Sequence, residues 1–275
     1  MNALQTFLST PGAVARVRLA RVRGSSPREA GCEMYVSTGA QHGTIGGGQL
    51  EHRAIAAARA LLARGDLAET LDVPLGPEIG QCCGGRVEVA LTRMGTLDRQ
   101  AALARAAEQA AALPVVQIHG AGHVGRALAN LLQHLPVRCV LIDSRAEEVA
   151  LCSARVETRI TPLPELEITM APQGSAFIVL THDHALDFLC ASAALQRGDA
   201  RYVGLIGSAT KREKFRRFAR DRCDGLSDAA LTCPIGAQGG RDKRPEVIAA
   251  FVVAEVLSAL TREQGAAQPV AFAAE

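Results

Sequence analysis

Apolar residues recur in this chain with two different periods, and the change of period divides it. Ala15, Val17 and Leu19 alternate with Arg16 and Arg18, which predicts a strand with one buried face after a short N-terminal helix. Cys32 to Val36, Leu67 to Val73 and Arg86 to Leu91 predict further strands, the last with Val87, Val89 and Leu91 on one face. Leu50, Ala54, Ala57, Ala58, Leu61 and Leu62 instead fall at helical spacing and predict a helix from about Leu50 to Arg64. An alanine-rich segment, Arg99 to Leu113, reads as a helix joining two halves.

Beyond it the strands lose their alternation. Val115 to His119, Arg138 to Asp143, Ala176 to Leu180 and Tyr202 to Ile206 are nearly continuous apolar runs, as expected of strands buried on both faces. Helices are predicted between them and after them, one over Arg126 to Leu132, one reaching Arg197, one carrying Lys211 and Arg212 near its start, and one opened by Pro245. The expected fold class is therefore α/β: a C-terminal Rossmann-like, doubly wound parallel sheet with an N-terminal α+β mixed-sheet domain. The expected limits are 1–98 for the first domain, 99–112 for the linker helix and 113–275 for the second.

The second domain opens on a glycine motif with a physical reason for each position. Gly120 allows a tight turn after the strand, Gly122 lets backbone approach a phosphate, and Gly125 lets helix and strand pack closely. Unpaired N–H groups and the positive end of the helix dipole would face that phosphate. Asp143 ends the next strand about 20 residues on, where a dinucleotide fold places the acid that accepts a ribose hydroxyl. If a dinucleotide binds, Asp143 favours a 2′-hydroxyl over a 2′-phosphate, although Arg145 two positions later opposes that preference.

Composition narrows the classes. The 275 residues carry 30 Lys and Arg against 28 Asp and Glu, and only 3% are aromatic, so neither a basic footprint nor stacking platforms for nucleic acid are expected. No basic leader precedes a long apolar segment and no run approaches the roughly 20 apolar residues that span a bilayer, which predicts a cytoplasmic protein without a membrane partner. The eight cysteines form no C-x-x-C pair and are expected to be reduced, several of them buried as small hydrophobes.

Four segments carry candidate chemistry. Gly46, Gly47 and Gly48 precede a helix and can curl their N–H groups around an anion, or they simply make a tight turn of several positive φ angles. Cys82 and Cys83 stand beside Gly84 and Gly85 in a loop rich in glycine, a composition that favours a reactive or ligand-contacting thiol at least as much as a packed one. Adjacent cysteines do not readily supply two tetrahedral ligands, so zinc is disfavoured there. His182, His184 and Asp187 follow the carboxyl end of a strand, where helix capping with ligand contact competes with metal ligation. Lys211 and Arg212 either neutralise an anion or form a solvated face.

In order along the chain, Arg23-Gly24-Ser25-Ser26-Pro27-Arg28, Gly43-Thr44-Ile45-Gly46-Gly47-Gly48-Gln49-Leu50-Glu51, Cys82-Cys83-Gly84-Gly85, Gly120-Ala121-Gly122-His123-Val124-Gly125, Thr181-His182-Asp183-His184 and Tyr202-Val203-Gly204-Leu205-Ile206-Gly207-Ser208 together resemble the XdhC/CoxI family. The resemblance implies a non-enzymatic chaperone that binds molybdenum cofactor (molybdopterin), holds it while a cysteine desulfurase supplies its terminal sulfur, and delivers it to apo xanthine dehydrogenase. It also implies a homodimer and adds His123 and Ser208 to the cofactor-binding candidates. Arg28 and the glycine turns suit the cofactor's phosphate, and Cys82 or Cys83, with Cys82 preferred, suits its molybdenum. Gln49 stands where many CoxI-type relatives carry a cysteine, so no role of that thiol transfers. The competing readings are an NAD(P)-dependent oxidoreductase with His182 or His184 as proton donor, and a dinucleotide-binding module without catalysis.

Overall fold

The computed structural model describes residues 3–76, 84–239 and 242–262. The chain divides into two compact units between Ala111 and Ala112.

The first unit runs α1 (Ala3–Ser9), β1 (Val14–Arg23), β2 (Glu33–Ser37), β3 (Gln41–Gly43), α2 (Gly48–Arg64), β4 (Ala68–Pro74), β5 (Arg86–Arg93) and α3 (Thr96–Ala111). Its strands form one sheet in the order β3-β2-β1-β5-β4. The four pairings are all antiparallel, and α2 carries the chain from β3 at one edge to β4 at the other. The alternation read in β1 is real, with Ala15, Val17 and Leu19 buried against Leu50, Ala54, Ala58 and Leu61 of α2. That helix stops at Gly65, whose left-handed φ of 80° lets its N–H turn back to the carbonyls of Leu61 and Leu62. On the opposite face Ala102 of α3 packs with Leu8, Val14, Tyr35 and Met94. The helix expected to link the halves is thus built into the first unit's second small core.

The second unit continues with β6 (Val115–His119), α4 (His123–Leu132), β7 (Arg138–Asp143), α5 (Ala146–Ala150), β8 (Glu157–Ile160), α6 (Pro164–Thr169), β9 (Ala176–Val179), α7 (His184–Gln196), β10 (Tyr202–Leu205), α8 (Ala209–Arg222), β11 (Leu231–Thr232) and α9 (Pro245–Thr261). The six strands are parallel in the order β11-β10-β9-β6-β7-β8, so the chain leaves β6 toward one edge and returns beside it toward the other. That reversal between β6 and β9 is the doubly wound switch point, where ligands bind at the carboxyl ends of the strands. Both faces are covered. Val116, Ile118, Leu141 and Ile178 pack against α4 and α9, while Phe177, Val179, Val203 and Leu205 pack against α7 and α8. Removing one such buried Leu or Ile side chain down to Ala costs about 2–5 kcal/mol, so the sheet is held rigid from both sides.

Candidate functional site

Each of the three motif glycines has a distinct steric situation. Gly120 has φ 129°, and a Cβ there would lie 2.2 Å from the carbonyl oxygen of Leu180; a Cβ on Gly125 would lie 1.9 Å from the carbonyl oxygen of Gly120. Both are required by close backbone approach. Gly122 is different, because its φ of −64° suits any residue and a Cβ there would meet nothing within 4 Å. Space is open above the turn at that position. Gly122 caps α4 without a side-chain hydrogen bond, whereas Asp183 closes the start of α7 by accepting from the N–H groups of Ala185 and Leu186, and Ser208 closes α8 by accepting from that of Lys211. Among the described residues no side chain caps α4, so its terminus presents its first N–H groups and the positive dipole end to the rim.

Asp143 serves this turn from below. Its Oδ2 accepts the Ala121 N–H at 2.7 Å and an Arg145 guanidinium N–H at 2.9 Å, and its Oδ1 accepts the Arg145 backbone and Nε donors at 3.0 Å each. A carboxylate offers about four acceptor positions, and all are taken on a side chain only 3% exposed. Here its lone pairs are spent on the protein's own backbone and on Arg145, where the sequence reading expects a ribose hydroxyl. Burial pushes its carboxyl up, but the hydrogen bonds from Arg145 and Ala121 and the Arg145 charge outweigh that and hold it below the usual value.

Next to the turn, the ends of β9 and β10 open into a cleft of about 490 Å³, within the range of small-molecule sites. His182, His184 and Ser208 meet here, with Lys211, Lys214 and Phe188. On its floor Asp187, 1% exposed, takes an ion pair from Lys211 and accepts the N–H and hydroxyl of Thr181 at 2.8 Å each. Asp187 is thereby committed, and among the described residues no group of three His, Cys, Asp or Glu side chains gathers as a metal site. Asp183 caps α7, as the capping reading expects. His123 is exposed at the first turn of α4.

His119, at the end of β6, is fully buried and passed unnoticed in the sequence. Its Nε2 lies 3.0 Å from Gln117 Oε1; since Gln117 Nε2 donates to the Glu167 carbonyl, the oxygen is free to accept and Nε2 carries the proton. Nδ1 has no partner among the described residues. Burial pushes this imidazole down to about 3, so it is neutral.

The turn at Gly46 to Gly48 takes the tight form with several positive φ angles. All three glycines have positive φ, and the N–H groups from Ile45 to Gly47 are already occupied: Glu51 Oε2 accepts those of Ile45 and Gly47 at 3.0 and 3.1 Å together with the Thr44 hydroxyl, and Thr44 Oγ1 accepts that of Gly46. The anion that this turn holds is the chain's own carboxylate, the fourth residue of α2. Burial raises the Glu51 carboxyl, and those hydrogen bonds with the His52 charge lower it further than burial lifts it. Arg28 and Pro27 lie against Gly46, where a Cβ would come within 3.6 and 2.8 Å of them. Cys82 and Cys83 lie outside the described residues. Of the other cysteines, Cys139, Cys190 and Cys233 are buried, and burial raises their thiols, the first two to about 12.

Comparison with known proteins agrees with this architecture. A model described as "XdhC Rossmann domain" matches residues 116–256, and one described as "XdhC and CoxI family" matches residues 8–73. No curated protein matches. A crystal structure from Bacillus halodurans, described as a xanthine dehydrogenase, superposes with a TM-score of 0.78 at 18% identity, covering 96% of this chain and 97% of that one; at that identity the likeness is one of fold. The Rossmann match alone takes in just over half of the sequence, and with it this chain belongs to the XdhC/CoxI family.

Proposed function

We propose that this protein acts in the maturation of xanthine dehydrogenase as a carrier of molybdenum cofactor, without turning over a substrate of its own. The observation that carries the reading is the uncapped N-terminus of α4 under the open position at Gly122. It offers converging N–H donors and a positive dipole end, which suit the terminal phosphate of molybdopterin. The adjoining cleft adds His182, His184 and Ser208, with Lys214 as a cation, for the polar pterin body. When bound, the cofactor supplies a dithiolene-held molybdenum that accepts a terminal sulfur ligand. This chain would hold and shield it, with Asp143 and the Asp187–Lys211 pair keeping the rim in place. Cys82, ahead of Cys83, is the thiol this reading assigns to the metal, and apo xanthine dehydrogenase, a cysteine desulfurase and a second copy of the chain are its partners.

The saturated carboxylate of Asp143 argues against the dehydrogenase alternative, since the ribose contact that NAD would use is already made internally. Calorimetric titration of the protein with molybdopterin, NAD and NADP tests the choice. Molybdopterin is expected to bind and to be weakened in Gly122→Ala, with neither dinucleotide competing; tighter binding of NAD or NADP would sink the proposal.

A further inference from the structure

The sheet of the first unit carries a second concavity that the glycine turns do not explain. The β1 alternation that buries Val17 and Leu19 under α2 places Arg16 and Arg18 on the other face, and the register sets them opposite Tyr35 and Glu33 of β2. Helix α3 covers this face at Ala102 and then leaves a cleft of about 610 Å³, walled by Arg105. Three guanidinium groups thus face a single carboxylate.

The pairing inside the cleft is loose. Glu33 accepts the Tyr35 hydroxyl at 2.9 Å, but Arg105 approaches it at 3.4 Å and Arg16 at 3.8 Å, and Arg18 has no partner among the described residues. On the same sheet Arg86 shows what a satisfied pair looks like, holding Asp72 through two bonds of 2.7 Å. A guanidinium carries five donors, so most of those in the cleft are unused. Burial and Glu33 hold the Tyr35 phenol up at about 12, which keeps it a neutral hydrogen-bond donor. An excess of two positive charges in a concave wall focuses potential toward an anion, and arginine forks match the oxygens of phosphate. A merely solvated arginine face would need neither the concavity nor the convergence on one shared carboxylate.

We propose that this cleft between β1, β2 and α3 binds the phosphate group of a small phosphorylated molecule, with Arg18 and Arg105 as its ligands and Glu33 positioning Arg105 and Arg16. The site is independent of the glycine turn in the second unit. Calorimetry of the full-length protein with inorganic pyrophosphate, at fixed ionic strength, tests it in three forms: wild type, Gly122→Ala, and the double variant Arg18→Gln/Arg105→Gln. Pyrophosphate is expected to bind the Gly122→Ala protein as it binds wild type through this cleft, and to bind the double variant at least tenfold more weakly. Both arginines are substantially exposed, so the double variant should melt as wild type does, and Arg105→Lys, which keeps the charge but loses the fork, should fall between. Unchanged affinity in the double variant would overturn the proposal, as would pyrophosphate failing to bind the Gly122→Ala protein.

Discussion

Asp143 accepts the backbone N–H of Ala121 at 2.7 Å, so the end of β7 grips the turn that follows β6. The contact joins two neighbouring strands at the point where a phosphate would sit. It makes the acid of the motif a support of the turn, acting on any ligand through the backbone it holds.

Asp143→Asn should therefore destabilise the protein by about 1–3 kcal/mol, the usual cost of leaving buried donors unpaired. The pH dependence follows from the sign of the shift. The folded carboxyl lies below its ordinary 3.8, so the unfolded chain binds a proton first, and the contribution is complete above that value and lost as pH falls through the depressed one. Urea unfolding from pH 6 down to pH 2 should show wild type losing its advantage over the variant only at the acid end.

The glycines should separate by role. Gly125→Ala would drive a methyl into the Gly120 carbonyl, costing at least the roughly 1–3 kcal/mol of overpacking or preventing folding. Gly122→Ala should change stability by no more than about 0.5 kcal/mol. Denaturant midpoints decide it, and equal losses at the two positions would contradict the open space seen at Gly122.

Lys211→Met would leave Asp187 charged and buried, an effect of about 3–5 kcal/mol. Pairing it with Asp187→Asn should restore much of that. A double-mutant cycle measured by thermal melting reads the coupling directly, and additive losses would mean that the two groups do not hold each other.

His119 gives a second acid-sensitive contribution with its own window. Its folded pKa of about 3 lies below the ordinary 6.5, so between those values the unfolded chain is protonated and the folded one is not. Stability should fall as pH drops through that range by up to about 1.4 kcal/mol per unit. His119→Leu should flatten this slope between pH 6.5 and 3 even if it lowers stability overall.

The parts of the fold that were legible in sequence are those where one residue has one local task. Gly125 could be read from spacing because it avoids a clash with the Gly120 carbonyl five residues earlier, Gly120 because a tight turn after the strand needs its positive φ, and β1 because its face is decided by alternation. Strand β8, with most of its residues exposed, and the two-residue β11 carry too little periodicity to be seen, and they sit at sheet edges where burial is weak. The Asp187–Lys211 pair spans 24 positions and exists only because β9 and β10 are adjacent. Glu51 was visible as a residue but not as a plug, since its partners are amides of an irregular turn. For Asp143, spacing locates a carboxylate without revealing how many of its lone pairs the protein itself takes.

The Cβ that Gly120 cannot carry, 2.2 Å from the Leu180 carbonyl, has a kinetic meaning. Turn and loop pack backbone to backbone, so swinging either away to admit a ligand would have to break that packing. Whatever binds at α4 meets donors already in position and loses little affinity to ordering them. Its association should then follow diffusion and charge, with a single concentration-dependent phase and no slower closing step behind it.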